Sequence, residues 1–196
     1  MGLMVYSLDN IPVNANRDYF VYLLDYGWDE PISNALRNNF DEMAKIAAKN
    51  RAVIIKGTEA AHFENEVMSW HHINNDEAEG LLPALLITNK HAAYFRDNRE
   101  YGFTNKNVLR IEDNDDNMKM ILVPFKRFCS SAVEAVTLIQ KIFKDIEAGK
   151  NLSDFKIAKE MKKGIGHALV DSLILEPNFS GIGFSFNRFK NFIKSE

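Results

Sequence analysis

The chain is predicted to be an α/β protein, and three observations carry that expectation. Residues 18 to 28 form one dense block of aromatic and branched side chains, as in a strand covered on both faces. Leu36, Phe40, Met43 and Ala47 then recur at a helical period, one stripe of an amphipathic helix that opens at Pro31 and Ser33 and stops near Asn50. Ala52-Val53-Ile54-Ile55 follows as a short strand, with its exit turn at Lys56-Gly57-Thr58. Strand, helix and strand in that order favour packed α/β layers over a bundle or a sandwich.

The pattern continues. Phe63, Val67, Trp70 and Ile73 fall at helical spacing, and a polar loop runs from Asn74 to Gly80. Residues 81 to 88 read as a strand in which Pro83 is tolerable only near the start, because proline cannot donate to a central ladder. Residues 118 to 125 supply another strand, and residues 132 to 147 a helix with Val133, Val136, Ile139, Ile142 and Phe143 inward. From residue 156 onward basic side chains outnumber acidic ones, and the segment ends in a helix-like run with Phe189, Phe192 and Ile193. Residues 1–150 are expected to form the α/β domain, and residues 151–196 a mainly helical C-terminal extension packed on it.

Composition narrows the function. The net charge of −3 argues against a nucleic-acid partner, and 46% hydrophobic residues suffice for a real core. Cys129 is the one cysteine, so no internal disulfide exists. The start lacks a basic n-region with a long apolar run, and no stretch reaches the roughly 18 apolar residues of a spanning helix. Gly2 is followed by Tyr6 where a myristoylation pattern wants Ser or Thr. A cytoplasmic location without a membrane partner is expected.

Trp28-Asp29-Glu30-Pro31-Ile32 stands at the strand-to-helix turn, and Leu82-Pro83-Ala84-Leu85-Leu86-Ile87 opens a later strand. In this order the stretch from Asp18 to Thr88 resembles the thioredoxin fold. That family's turn reads Trp-Cys-Gly-Pro-Cys, and its later strand begins with a cis-proline facing the turn. Trp28 and Pro31 match, whereas Asp29 and Ile32 occupy the two cysteine places and Glu30 replaces the glycine. The resemblance implies a thioredoxin-like three-layer α/β/α arrangement around a central mixed sheet.

Thiol exchange needs one thiolate to attack and a second thiol to resolve, so dithiol chemistry at this turn is excluded. What survives of the resemblance is a binding groove, since backbone beside a cis-proline can pair with an extended peptide. It implies a non-redox, protein-binding adaptor without a cofactor. Trp28, Asp29, Glu30, Pro31, Ile32, Leu82 and Pro83 are the partner-contacting residues, and the partner is another protein or a second copy of the chain. Residues 175 to 186 resemble the ends of small bacterial proteins encoded near defence or toxin genes, which implies a component of a bacterial multi-protein system. The alternative is a small hydrolase acting on a phosphate-containing or acyl substrate. Its acid/base groups would come from distant segments, His62 or His71 with Asp29 or Glu30, because catalytic residues often sit on loops at strand ends.

Five other constellations carry less. Cys129 precedes a helix start and follows Lys126 and Arg127, a setting that favours a thiolate, but a small apolar residue at a buried strand end is the expected role, since free Cys is among the most buried residue types. His62, His71 and His72 with Glu64 and Glu66 have no metal-ligand spacing and read as a polar helix face. The acidic run from Glu112 to Asn117 fails as a calcium loop, because Met118 stands where the turn glycine belongs and Pro124 where the bidentate Glu belongs. The pairs Gly164/Gly166 and Gly181/Gly183 lack the third glycine of a dinucleotide fingerprint, and Lys159, Lys162 and Lys163 read as a solvated face.

Overall fold

The strand at Tyr19–Leu24 is buried along its whole length, and the remaining elements are arranged to cover it. The structure, a computed structural model, describes residues 1–13, 16–71, 73, 78–100 and 119–164. Five strands are present among them: β1 (Gly2–Val5), β2 (Tyr19–Leu24), β3 (Ala52–Gly57), β4 (Ala84–Thr88) and β5 (Met120–Pro124). The helices are α1 (Pro31–Asn38), α2 (Phe40–Lys49), α3 (Ala60–Trp70), α4 (Ala78–Leu81), α5 (Ala92–Glu100), α6 (Phe125–Phe128), α7 (Ala132–Glu147) and α8 (Lys156–Gly164).

The sheet is mixed, in the order β1-β3-β2-β4-β5. β1 and β2 both pair parallel with β3, with Gly2 opposite Ile54 and Tyr19 opposite Ala52. β4 runs antiparallel to β2 and β5 antiparallel to β4, with Leu24 opposite Ala84 and Ala84 opposite Pro124. The α/β class and the central mixed sheet stand as expected.

Alternation along the strands divides the core in two. Tyr19, Val21 and Leu23 of β2 face a layer formed by Leu36 of α1, Met43 of α2, Ile142 of α7 and Ile157 of α8. Phe20, Tyr22 and Leu24 face the other way, onto Phe63 and Val67 of α3 and Phe95 of α5. Helices therefore cover both faces. The start of the expected C-terminal extension belongs to the first layer, since Leu152, Phe155 and Met161 join it. Asp145, buried on α7, accepts a 2.5 Å hydrogen bond from the Lys156 amide that opens α8 and pairs with Lys150 at 2.6 Å.

Several expectations change. β1 was not foreseen, because Gly2-Leu3-Met4-Val5 is short and its exposed Met4 is as apolar as its buried Val5, so the sequence shows no apolar/polar alternation although the burial alternates. The single helix expected up to Asn50 is two. Asn39 breaks it with a non-helical backbone while its side-chain amide donates to the Ala35 carbonyl at 2.7 Å, a local bond that competes with helix continuation. Val133 is 76% exposed rather than inward, since Ala135 and Leu138 take the buried stripe one residue out of the assumed phase. The acidic run 112–117, His72, the glycines beyond Gly164 and the rest of the tail lie outside the described residues.

Gly57 ends β3 where α3 folds back over the sheet. A Cβ there would fall 2.3 Å from the Phe63 Cβ and 3.0 Å from the Glu59 carbonyl oxygen, so no side chain fits without moving buried Phe63. At Gly80 a Cβ would meet nothing. Gly57→Ala is expected to lose about 1–3 kcal/mol in urea unfolding, the usual cost of overpacking. Gly80→Ala, which only adds helix propensity, should keep its stability or gain up to about 1 kcal/mol.

Candidate functional site

Parallel pairing brings the C-terminal ends of β1, β3 and β2 to one end of the sheet, and antiparallel β4 starts there. The turn that leaves β2 at this end is organised by Asp25. Its carboxylate is buried and forms a 2.7 Å ion pair with Arg37 of α1. The other carboxylate oxygen accepts from the Gly27 amide at 3.1 Å, an Asx-type turn that glycine completes with φ +82°. Burying a carboxylate is costly unless it is paired and hydrogen-bonded, and both conditions are met here.

Arg37 does more than neutralise Asp25. Its second amino group donates to the Trp28 carbonyl at 2.8 Å and to Asn34 Oδ1 at 2.5 Å. Asn34 in turn donates to Asp29 at 2.7 Å. Pro31 occupies the first helical turn, where its missing N–H leaves no bond unmade, and the Asn34 amide bonds the Glu30 carbonyl at 2.8 Å. The turn is thereby tied at Asp25, Trp28, Asp29 and Glu30.

The indole itself is left outward. Trp28 is 40% exposed, with the Tyr26 ring 5.4 Å away and the Lys126 ammonium 5.1 Å from its centroid. Lys126 also pairs with Glu30 at 2.8 Å. Its neighbour Phe125 donates its backbone N–H to the Pro83 carbonyl at 2.9 Å. Thus α6 joins the turn to the start of β4, where the Leu82–Pro83 peptide bond is cis. The β2–β4 register, continued one step beyond Leu24 and Ala84, sets Pro83 opposite Asp25.

The seven expected contact residues are consequently unlike one another. Trp28, Asp29 and Pro31 are exposed, and Glu30 and Ile32 are half-buried. Leu82 and Pro83 are buried, and the Pro83 carbonyl already accepts from the Phe125 N–H, so neither presents its side chain at the surface. Asp25, Tyr26, Asn34, Arg37 and Lys126 were missed by sequence reasoning. The signal for Asp25 was present, an acid closing an otherwise apolar strand; Lys126 is remote in sequence and gave none.

The acid/base groups of the hydrolase alternative are held by different neighbours. His71 is buried in the second core layer, its Nδ1–H donating to the Val67 carbonyl at 2.8 Å between the Tyr22 and Phe95 rings. That position corrects its reading as part of a polar helix face. His62 stacks on Tyr6 at 4.5 Å on the β1 side of the sheet, while Asp29 holds Asn34 and Glu30 holds Lys126. Glu66 also departs from the solvated reading, since it accepts from the Ser7 hydroxyl and the Leu8 amide, both at 2.7 Å. Among the described residues no group of three or more His, Cys, Asp or Glu could hold a metal ion.

Glu64, in the same cluster, is only 2% exposed on α3. Its carboxyl accepts from the Asp25 backbone amide, and its Oε2 is buried without a hydrogen-bond partner. Burial pushes its pKa from the ordinary 4.5 up to about 8; the Asp25 amide opposes that rise and the Asp25 carboxylate adds to it. At neutral pH Glu64 is an uncharged acid beneath the base of the turn. Cys129 is buried as well, and burial, with help from Glu134 and against Lys141, pushes its thiol up to about 11. No family model, curated protein or solved structure matches the chain.

Two measurements follow from these groups. Between about pH 4.5 and 8 the unfolded chain releases a Glu64 proton that the folded chain keeps, so stability falls as pH rises through this window and levels off above it. At about 1.4 kcal/mol per unit the loss sums to a few kcal/mol, and Glu64→Gln should lack it when urea unfolding is compared at both ends of the window. Cys129 in the native protein should react with a thiol reagent at neutral pH at least about tenfold more slowly than in the unfolded chain, being both covered and un-ionised.

Proposed function

We propose that the chain is a protein-binding adaptor on a thioredoxin-like fold, without redox chemistry at the turn, and that it works within a bacterial multi-protein system. Support for the fold comes from the mixed five-stranded sheet with helices on both faces, and from the cis Leu82–Pro83 bond beside the turn. Support for the absence of dithiol chemistry is direct. Asp29 and Ile32 carry no sulfur, and the one thiol, Cys129, is buried and protonated.

The observation that carries the binding reading is the posture of Trp28. Trp28 is 40% exposed and clustered with Tyr26 and Lys126, and tryptophan and tyrosine are enriched among the residues that anchor protein interfaces. Here the anchor is preorganised, because Arg37 holds its carbonyl and Lys126 and Tyr26 flank its ring. Fixing the ring before association removes part of the ordering cost of binding. Asp29 and the Lys126–Glu30 pair give the surroundings a polar rim.

The test is a photo-crosslinking amino acid at Asp29, with a control at Lys49, which ends α2 at the opposite end of the sheet. Cross-linking in the source cells should yield a discrete protein adduct from position 29 and none from position 49. Adding Trp28→Ala should weaken that adduct about tenfold or more, the loss of an anchor worth at least about 1.4 kcal/mol. An adduct indifferent to Trp28→Ala, or no adduct at all, would overturn the reading.

A further inference from the structure

β1 is an edge of the sheet among the described residues, and its backbone is divided between two sides. The Met1 and Val5 carbonyls accept from the Ile54 and Thr58 amides on the β3 side, at 2.8 and 2.9 Å. Alternation along the extended chain turns the N–H and C=O of Gly2 and Met4 away from β3, where no described residue meets them. Soluble proteins guard such edges with a charge, a proline or a bulge. Gly-Leu-Met-Val carries no charge and no proline, and it pairs with β3 in unbroken register.

α2 lies over this edge. A Cβ on Gly2 would fall 2.8 Å from the Ala44 Cβ, and the Ala44 carbonyl accepts from the Met1 amino group at 2.9 Å. The opposite flank of α2, with Met43 and Ile46, packs into the first core layer. The flank beside Ala44 therefore reaches past β1, and at helical spacing it carries Asp41, Lys45 and Ala48, all exposed. Asp41 has no ion pair among the described residues, and the pair of Lys45 with Glu42 at 3.2 Å is exposed and holds it weakly. Leu3 and Val5 belong to the second layer, so Met4, 60% exposed, stands on the α2 face.

We propose that β1 pairs antiparallel with β1 of a second copy of this chain, joining two sheets into one across a two-fold axis at Leu3. Gly2 of each copy stands opposite the partner's Met4, so every outward N–H and C=O of the two strands is used. Met4 lies over the partner's Gly2, the position of the strand with no side chain to collide with. The same axis sets the two α2 helices antiparallel on one face and brings Asp41 of each copy towards the partner's Lys45. The surface complements itself, strand to strand and acid to base, which selects a second copy as its occupant. A four-residue edge alone holds two chains weakly, and the α2 contact adds to it. None of these residues belongs to the Trp28 turn, so the dimer stands apart from the adaptor reading.

Sedimentation velocity of the full chain at rising concentration should show a reversible shift from the mass of one chain to twice that mass. Met4→Pro removes the outward N–H of residue 4 and no bond to β3, a change that edge strands tolerate, so the urea midpoint should stay while the dimer weakens at least about tenfold. Asp41→Lys should weaken it about threefold or more, since the axis repeats the ion pair, and adding Lys45→Asp should restore it. In the unsubstituted protein the Met4 amide should exchange more slowly as concentration rises, a reading that needs no variant to fold. One-chain mass at every concentration, with or without a protected Met4 amide, would overturn the proposal, and a protected amide would then mean that the edge is paired within the chain. A dimer indifferent to a folded Met4→Pro, a charge swap that fails to restore, or a dimer lost in Trp28→Ala would each overturn it as well.

Discussion

A single buried carboxylate shapes the end of the molecule where the candidate site lies. Asp25 closes the central strand, and a charge removed from water must find a cation and donors nearby or the fold is lost. Arg37 supplies the cation from the far end of α1, and the Gly27 amide supplies a donor from the turn. Satisfying both forces the chain to fold back between β2 and α1 rather than stream outward. The Trp28 carbonyl then meets the same guanidinium that neutralises Asp25. The direction of the indole is thus a by-product of how one acid is kept inside.

The sheet's mixed pairing decides which other groups gather there. Because β4 runs against β2, Pro83 comes level with Asp25, and because β5 runs against β4, Phe125 and Lys126 emerge at the same end. Lys126 therefore meets Glu30 and Trp28 across almost a hundred residues of chain. The site is thus assembled by the sheet's pairing from three separated segments rather than by a local motif.

Legibility in the sequence followed burial. β2, β3 and β4 are deeply buried and their apolar runs were plain, and α7 announced itself through a long amphipathic pattern headed by Ser131, which caps it. β1 was invisible because its exposed positions, Gly2 and Met4, are not polar, so the alternating burial of this edge strand leaves no mark on the sequence. Asn39 looked like one more polar helix residue, yet its backbone ends α1 and starts α2. At the site, Trp28 and Pro31 could be found by resemblance to a known turn. Arg37 and Lys126 could not, since an exposed-looking basic residue acquires its role only from what the fold sets beside it. Glu64 and His71 misled for the opposite reason, as polar letters on a helix that the sheet covers.

Tyr19, at the start of the central strand, donates its hydroxyl to the carbonyl of Lys150, 131 residues further along the chain. The layer into which Tyr19, Val21 and Leu23 point is closed by α7 and α8. During synthesis, therefore, the part of this face that α1 and α2 leave uncovered stays open until the ribosome has released residues beyond 160. Long-range closure of this kind slows folding and leaves apolar surface open to unwanted association while the nascent polypeptide waits. The late helices thus serve as a cover for apolar surface as much as an anchor.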